Sequence, residues 1–278
     1  MSNTPKKAVA LVWSIKMRYL RSLTLSDRQV VHPQLYPYHV LADKSGEVLV
    51  FDAITLLYGE NGSGKSTVLN MLAAKLKLVG TERPKVWGQT DYFGDYMAES
   101  HLSFETDEAS GQRCTIPDHS RYLKSEDVLY EVKKVQQEAI LREDYLYRRG
   151  QLGYTKAQRE AHNGSFAMEK QIDKHLFAQE KFSNGETAMQ LYEEYLEADG
   201  LYLLDEPEVS LSPDNQLRLA AVISDAARFL NCQFVIATHS PFLLGALAGT
   251  IYNLDLPGLR TAKPLELPLM QTYQRFFS

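Results

Sequence analysis

The fold is decided by residues 59–66, which read Gly59-Glu60-Asn61-Gly62-Ser63-Gly64-Lys65-Ser66. These residues match the pattern G-x-x-x-x-G-K-[ST], in which successive backbone N–H groups turn inward around phosphate oxygens. An apolar run at 54–58 precedes the stretch, and apolar residues at helical spacing follow it from Val68 to Leu76. We therefore expect a strand, a loop and a helix in that order, with the helix N-terminus adding partial positive charge at the loop. The sequence predicts a phosphate-binding loop (P-loop).

The P-loop assigns chemistry to two of its side chains. Lys65 is expected to reach the β- and γ-phosphates of a nucleotide, and the Ser66 hydroxyl is expected to ligate Mg²⁺. The residues expected to bind the nucleotide are Gly59, Glu60, Asn61, Gly62, Ser63, Gly64, Lys65, Ser66 and Thr67. The loop alone does not distinguish a kinase from a GTPase or an ATPase.

A second motif narrows the reaction. Residues 201–207 read Leu-Tyr-Leu-Leu-Asp-Glu-Pro, an apolar strand that ends in two adjacent carboxylates. Strand alternation points neighbouring side chains in different directions, so one carboxylate can hold the metal while the other faces water. We assign Asp205 to Mg²⁺ and Glu206 to the base that orients or deprotonates the attacking water.

The surrounding pattern indicates a mostly parallel sheet. Short apolar runs at 201–204 and 234–237 flank an amphipathic segment, residues 215–230, and buried runs that alternate with helices are typical of parallel α/β proteins. Residues 80–182 differ: 80–118 predict loops and short antiparallel strands, and 125–182 predict charged helices. We interpret 80–182 as a lobe inserted into one α/β domain that spans residues 1–278. It lacks the sustained heptads of a coiled-coil arm.

Two further motifs complete the set. Phe182-Ser183-Asn184-Gly185-Glu186 lies just before an apparent helix, with Ser183 22 residues ahead of Asp205, and Ala237-Thr238-His239-Ser240-Pro241 follows the next strand. Alone, the first is also typical of a helix N-cap and the second of a structural histidine. In this order and spacing, the four motifs together resemble the ATPase engine of the ABC superfamily. The nearest likeness is to small bacterial ATPases of the SMC, RecF and OLD-like branch.

The resemblance implies a P-loop NTPase fold with an ABC-type head and an ATP-dependent homodimer. Lys65, Ser66 and Asp205 of one copy would face a signature formed by Ser183, Gly185 and Glu186 of the other, and His239 would contact the γ-phosphate. The sequence departs from the family pattern in two places. Ser212 stands where Asp or His is common, and residues 121–126 lack the glutamine that links the metal to the helical lobe. Candidate contacts to the adenine base are Arg18, Tyr19 and Arg21.

Composition limits the partners. The chain has 278 residues, 44% of them hydrophobic, with 30 basic against 35 acidic side chains and a net charge of −5. This balance disfavours a disordered chain and a dedicated nucleic-acid binder, although residues 142–159 carry a local excess of +3. No apolar run approaches the ~18 residues of a membrane span, so we expect no membrane insertion. Cys114 and Cys232 lie too far apart in sequence to suggest a metal cluster, and a reducing cytoplasm fits.

The function that these observations favour is a nucleotide-dependent dimerisation switch that hydrolyses ATP. It would act on a partner protein encoded nearby or on a DNA-related process, in phage defence or DNA repair, with direct DNA binding only weakly supported. Two alternatives stay open. One is the nucleotide-binding subunit of a membrane transporter, and the other is a nucleotide-gated scaffold with little turnover.

Overall fold

The computed structural model describes residues 19–30, 35–82, 90–106, 110–131, 134, 146–147, 155–156 and 185–278. The strands within these residues are β1 (Leu20–Thr24), β2 (Val48–Val50), β3 (Ile54–Tyr58), β4 (His101–Phe104), β5 (Arg121–Lys124), β6 (Leu201–Asp205), β7 (Gln233–Ala237), β8 (Thr250–Asn253) and β9 (Arg260–Ala262). The helices with defined bounds are α1 (Lys65–Leu76), α2 (Tyr92–Glu99), α3 (Gly185–Tyr195), α4 (Pro213–Phe229), α5 (Pro241–Ala246) and α6 (Pro268–Phe277), with 3₁₀ turns at Ala42–Lys44 and Pro264–Glu266.

The larger sheet has six strands in the order β5-β6-β7-β3-β8-β9. All neighbouring pairs are parallel except β8 and β9, which are antiparallel. The expected mixed α/β fold with a mostly parallel sheet is confirmed. Strands β3, β7 and β6 are parallel neighbours, so their carboxyl ends meet at the same edge of the sheet. The P-loop, the paired carboxylates and the His239 segment follow these three ends.

This sheet is buried on both faces, which explains its nearly continuous apolar strands. Leu56, Leu204 and Ile236 belong to a core that also contains residues of α3, α4 and α5. Their strand neighbours, such as Leu57 and Leu203, belong to a second core that includes α1 and the antiparallel strands. Side-chain alternation along each strand therefore divides the interior into two layers around the sheet.

The smaller sheet is antiparallel, in the order β2-β1-β4. Its strand β4 confirms the short antiparallel strand expected within residues 80–118, but helix α2 in the same range was not predicted. The Asp91 side chain caps α2 by accepting a hydrogen bond from the Gly94 amide at 2.9 Å, and Phe93 and Tyr96 are buried beneath it. Gly94 and the clustered aspartates gave this segment the composition of a loop, whereas tertiary burial makes it helical.

One part of the interpreted insertion is corrected by the sheet. Strand β5 lies inside residues 80–182, yet it pairs in parallel with β6, with Tyr122 opposite Leu203. Residues 121–124 therefore belong to the α/β core. Residues 125–131 are helical, as expected. Most of 132–184 lies outside the described residues, so the inserted lobe and its basic cluster stay a prediction.

Helices long and apolar enough to cross a bilayer are absent from the described parts of the chain.

Candidate nucleotide-binding site

The P-loop connects β3 to α1 and depends on its glycines for different reasons. Gly62 and Gly64 have φ values of 88° and 100°, a region that side chains other than glycine rarely adopt. A Cβ at Gly64 would also come within 2.9 Å of Leu41 Cδ2, whereas one at Gly62 would meet nothing within 4 Å. Packing therefore holds the base of the loop, and open space lies above Gly62.

Lys65 is the buried cation of this loop. Its side chain is 4% exposed, and its Nζ donates hydrogen bonds to the carbonyls of Gly59 at 2.7 Å and Glu60 at 3.1 Å. Burial lowers the pKa of Lys65, and the charges of Glu206 and Asp205 partly offset that effect. Lys65 thus rests on carbonyls of its own loop and faces two carboxylates from the sheet edge.

Asp205, at the end of β6, receives a donor on each oxygen. The Ser66 hydroxyl donates to Oδ1 at 3.1 Å, and the Tyr122 hydroxyl donates to Oδ2 at 3.0 Å. Burial raises the pKa of Asp205, and these two hydrogen bonds lower it. The structure therefore brings the two residues predicted to hold the metal, Ser66 and Asp205, into direct contact.

The backbone leaves the extended conformation of β6 at Glu206. Its φ is +50°, and its amide donates to the Ala237 carbonyl at 2.9 Å, which ties the turn to the end of β7. Its Oε1 lies 3.2 Å from Nε2 of His239, although the pair lacks hydrogen-bond geometry. Both side chains are about one-third exposed, at 34% and 35%. Glu206 and His239 thus sit side by side on neighbouring strand ends.

A cavity of about 300 Å³ lies against Lys65, Ser66 and Glu206. Its lining comes from the P-loop, the start of α1, the carboxylate turn and the segment ahead of the first 3₁₀ turn. The lining residues are Val40, Asn61, Gly62, Gly64, Lys65, Ser66, Thr67 and Glu206. In the P-loop, Ser63 Oγ is buried and has no hydrogen-bond partner among the residues described here. Carboxylate and hydroxyl oxygens beside a buried lysine are the donor set that suits a hard divalent cation and phosphate. The residues present therefore fit a magnesium nucleotide.

The structure also assigns contacts to residues that had no role in the sequence interpretation. Oε1 of Glu208 accepts a hydrogen bond from the His239 amide at 2.6 Å. Oδ1 of Asp255 accepts one from the Glu60 amide at 2.7 Å. Asp255 follows β8, the strand beside β3, so its position at the carboxyl end of a parallel strand was the one available signal.

A third unpredicted residue links two segments around the site. Gln216 donates through Nε2 to the Leu211 carbonyl at 2.9 Å and accepts through Oε1 from the Ser240 hydroxyl at 2.6 Å. Ser240 is in turn the N-cap of α5, directly after His239. Ser212, which stands where the family pattern has Asp or His, is the N-cap of α4.

The signature residues are only partly described. Ser183 and Asn184 lie outside the described residues, and α3 begins at Gly185. Glu186 in its first turn is exposed and forms an ion pair with Arg218 of α4 at 3.3 Å. The role of these residues in a second copy's site therefore stays a prediction.

The suggested adenine contacts on the first strand change with the structure. Tyr19 is 5% exposed and belongs to the core beside the antiparallel sheet, which corrects its assignment as a surface for a base. Arg21 is exposed on β1, and Arg18 lies outside the described residues.

Comparison with known proteins finds a family match for part of the chain. Residues 115–245 match the family described as "AAA domain, putative AbiEii toxin, Type IV TA system". No curated protein matches the sequence. Among solved structures, the chain is similar to a Pyrococcus furiosus structure described as the Smc head domain with an extended coiled coil bound to the C-terminal domain of ScpA. That similarity has 13% identity and a TM-score of 0.44, and it covers 94% of this chain and 100% of the other.

The matched region contains Asp205, Glu206 and His239, while the P-loop lies outside it and is identified by its pattern and its position between β3 and α1. The P-loop and the carboxylate turn meet at one edge of the sheet, and residues 115–245 are similar to an AAA domain. The chain has the mixed α/β fold of a P-loop nucleotide-binding protein.

Proposed function

We propose that the protein binds ATP with Mg²⁺, hydrolyses it, and uses the cycle to form and release a homodimer. One observation carries the proposal: Ser66 and Asp205 are in contact at 3.1 Å, with Lys65 and Glu206 lining the same cavity. A site that only binds nucleotide would need Lys65, Ser66 and Asp205. It would not need Glu206 beside His239.

Each residue then has a defined task. Lys65 exchanges the Gly59 and Glu60 carbonyls for phosphate oxygens, and Ser66 with Asp205 holds the cation. The cation, when bound, neutralises charge on the phosphates. Glu206 orients water or takes its proton, because it is next to the metal-binding carboxylate but points elsewhere. His239 faces the γ-phosphate through Nε2, which makes no hydrogen bond within the described residues.

The turnover part of the proposal is tested with Glu206→Gln. This substitution keeps the shape of the side chain but removes the base, so ATP binding should persist while hydrolysis falls by roughly 10²- to 10⁴-fold. Lys65→Ala is the matched control, since it should lose nucleotide binding itself. Hydrolysis by Glu206→Gln at the parental rate would show that another group activates the water.

The dimer part of the proposal is that Ser183, Gly185 and Glu186 of a second copy complete the site. Lys65→Ala and Ser183→Arg should each abolish turnover alone, for different reasons. Mixed together, they should recover up to about a quarter of it, because half of randomly assorted dimers are mixed and each carries one intact site. A site built within one chain would show no recovery.

The output of the cycle is proposed to pass through a partner protein encoded nearby, in the cytoplasm, in phage defence or DNA maintenance. The description of the matched family, which names a toxin–antitoxin system, favours a defence role. Immobilised Glu206→Gln with ATP should retain this partner, and Lys65→Ala should not. DNA-stimulated turnover that falls steeply with salt would instead indicate direct phosphate contacts.

A further inference from the structure

We propose that Tyr122 is a positioning residue for the metal-binding carboxylate of Asp205. The inference rests on the proposed function, because it concerns how that site holds its divalent cation. It is carried by the hydrogen bond of 3.0 Å that the Tyr122 hydroxyl donates to Asp205 Oδ2.

The two oxygens of Asp205 are held from opposite elements. Ser66, in the first turn of α1, donates to Oδ1 at 3.1 Å, and Tyr122, on β5, donates to Oδ2. The carboxylate plane is therefore fixed, with Oδ1 directed toward the P-loop hydroxyl. Ser66 and Asp205 would hold the cation, and Tyr122 donates to the carboxylate oxygen that Ser66 does not contact.

Tyr122 is itself rigidly placed. It is 1% exposed, and it lies on the edge strand beside β6, opposite Leu203 and two residues short of the register position of Asp205. Its own amide donates to the Val79 carbonyl at 2.8 Å, which anchors the outer side of β5. A buried side chain with its backbone held on both sides of the strand can direct a hydroxyl within narrow limits.

Asp205 is only partly exposed, so the donor on each of its oxygens helps to stabilise its charge. A carboxylate partly removed from water must be satisfied by hydrogen bonds or opposite charge, or its ionised form is disfavoured. Residues 121–126 supply no glutamine, and from this stretch it is Tyr122 that reaches the carboxylate. Groups that hydrogen-bond to metal ligands set ligand orientation, and their loss commonly weakens metal binding by about 10- to 100-fold.

The test is Tyr122→Phe, which removes one oxygen atom and keeps the ring in the core. Tyr202→Phe is the matched control: Tyr202 is fully buried on the next strand, and among the described residues its hydroxyl bonds to the Glu197 backbone alone, at 2.7 and 2.8 Å. Two quantities are measured with full-length protein. They are ATP affinity in EDTA, and the Mn²⁺ concentration that half-saturates the protein–ATP complex, read from the electron paramagnetic resonance of bound Mn²⁺.

We expect Tyr122→Phe to raise the half-saturating Mn²⁺ concentration by about tenfold and to leave metal-free ATP affinity within about twofold. Tyr202→Phe should change neither. Unchanged Mn²⁺ dependence in Tyr122→Phe, or an equal loss of metal-free ATP affinity, would overturn the positioning role. Failure of the proposed function is distinguishable, because the parental protein itself would then bind no Mn²⁺ with ATP.

Discussion

The backbone amide of His239 donates a hydrogen bond of 2.6 Å to Oε1 of Glu208, and this contact ties the carboxylate turn to the start of the next helix. The amide of Glu206 adds a second tie to Ala237. Glu206 and His239, the two side chains proposed to act on water and the γ-phosphate, are therefore spaced by the contacts of their neighbours.

Glu208→Ala should reduce turnover much more than ATP binding. It frees the His239 segment without touching the P-loop, and displacements of about 1 Å around reacting groups can cost on the order of 10²-fold in rate. Glu208→Gln keeps an oxygen acceptor for the His239 amide and is the matched control. Steady-state turnover and ATP affinity, measured on both variants, check the prediction; equal turnover in the two would contradict it.

Glu208 should also leave a signature in the pH dependence of stability. Burial raises the pKa of this carboxyl above its usual 4.5, so the folded state binds its proton more readily than the unfolded state. The contribution of Glu208 to the free energy of unfolding therefore grows as pH falls from neutrality toward 4.5, and is lost as pH rises through the raised value. Urea denaturation of the parental protein and Glu208→Gln at pH 7 and pH 5 should show the parental protein gaining relative stability at pH 5. A constant difference between them would refute this.

Asp255→Ala should weaken ATP binding by about fivefold, as expected for roughly 1 kcal/mol from one exposed hydrogen bond. The residue fixes the Glu60 amide, and without it the first residues of the P-loop lose their tie to the end of β8. Asp255→Asn retains Oδ1 as an acceptor and should bind ATP nearly as the parental protein does. Calorimetric titration with ATP distinguishes the two, and identical affinities would show that the loop needs no such support.

Ser212→Ala should lower the free energy of unfolding by about 1 kcal/mol, because Ser212 caps the 17-residue helix α4 by accepting from the Asn215 amide. Ser212→Asp supplies another capping oxygen and places a negative charge at the helix N-terminus, so stability should be retained. Denaturant midpoints at one pH are sufficient. If both variants were destabilised equally, Ser212 would act through a contact other than the cap.

The sequence was sufficient to predict the centre of this molecule. The runs at 54–58, 201–204 and 234–237 are apolar on both sides and adjoin glycine or carboxylate motifs, so strand type and the chemistry at each strand end were readable together. Helix α1 followed from its spacing after Lys65. Composition failed for α2, where capping and burial overrode a loop-like segment.

Contacts between residues far apart in the chain could not be predicted from the sequence. Tyr122 and Asp205 are 83 positions apart, and Glu60 and Asp255 are 195 apart, so their contacts depend on strand order rather than on any local pattern. Tyr19 illustrates the converse error: the sequence made it a candidate contact to the adenine base, but the folded chain buries it.

The resting position of Lys65 bears on how strongly an anion binds. Its ammonium group already donates to the Gly59 and Glu60 carbonyls, so an arriving anion replaces these acceptors. It does not supply the first partner of an unpaired charge. Because the lysine exchanges one set of oxygen acceptors for another, the free energy that this contact contributes to binding is the difference between the two sets.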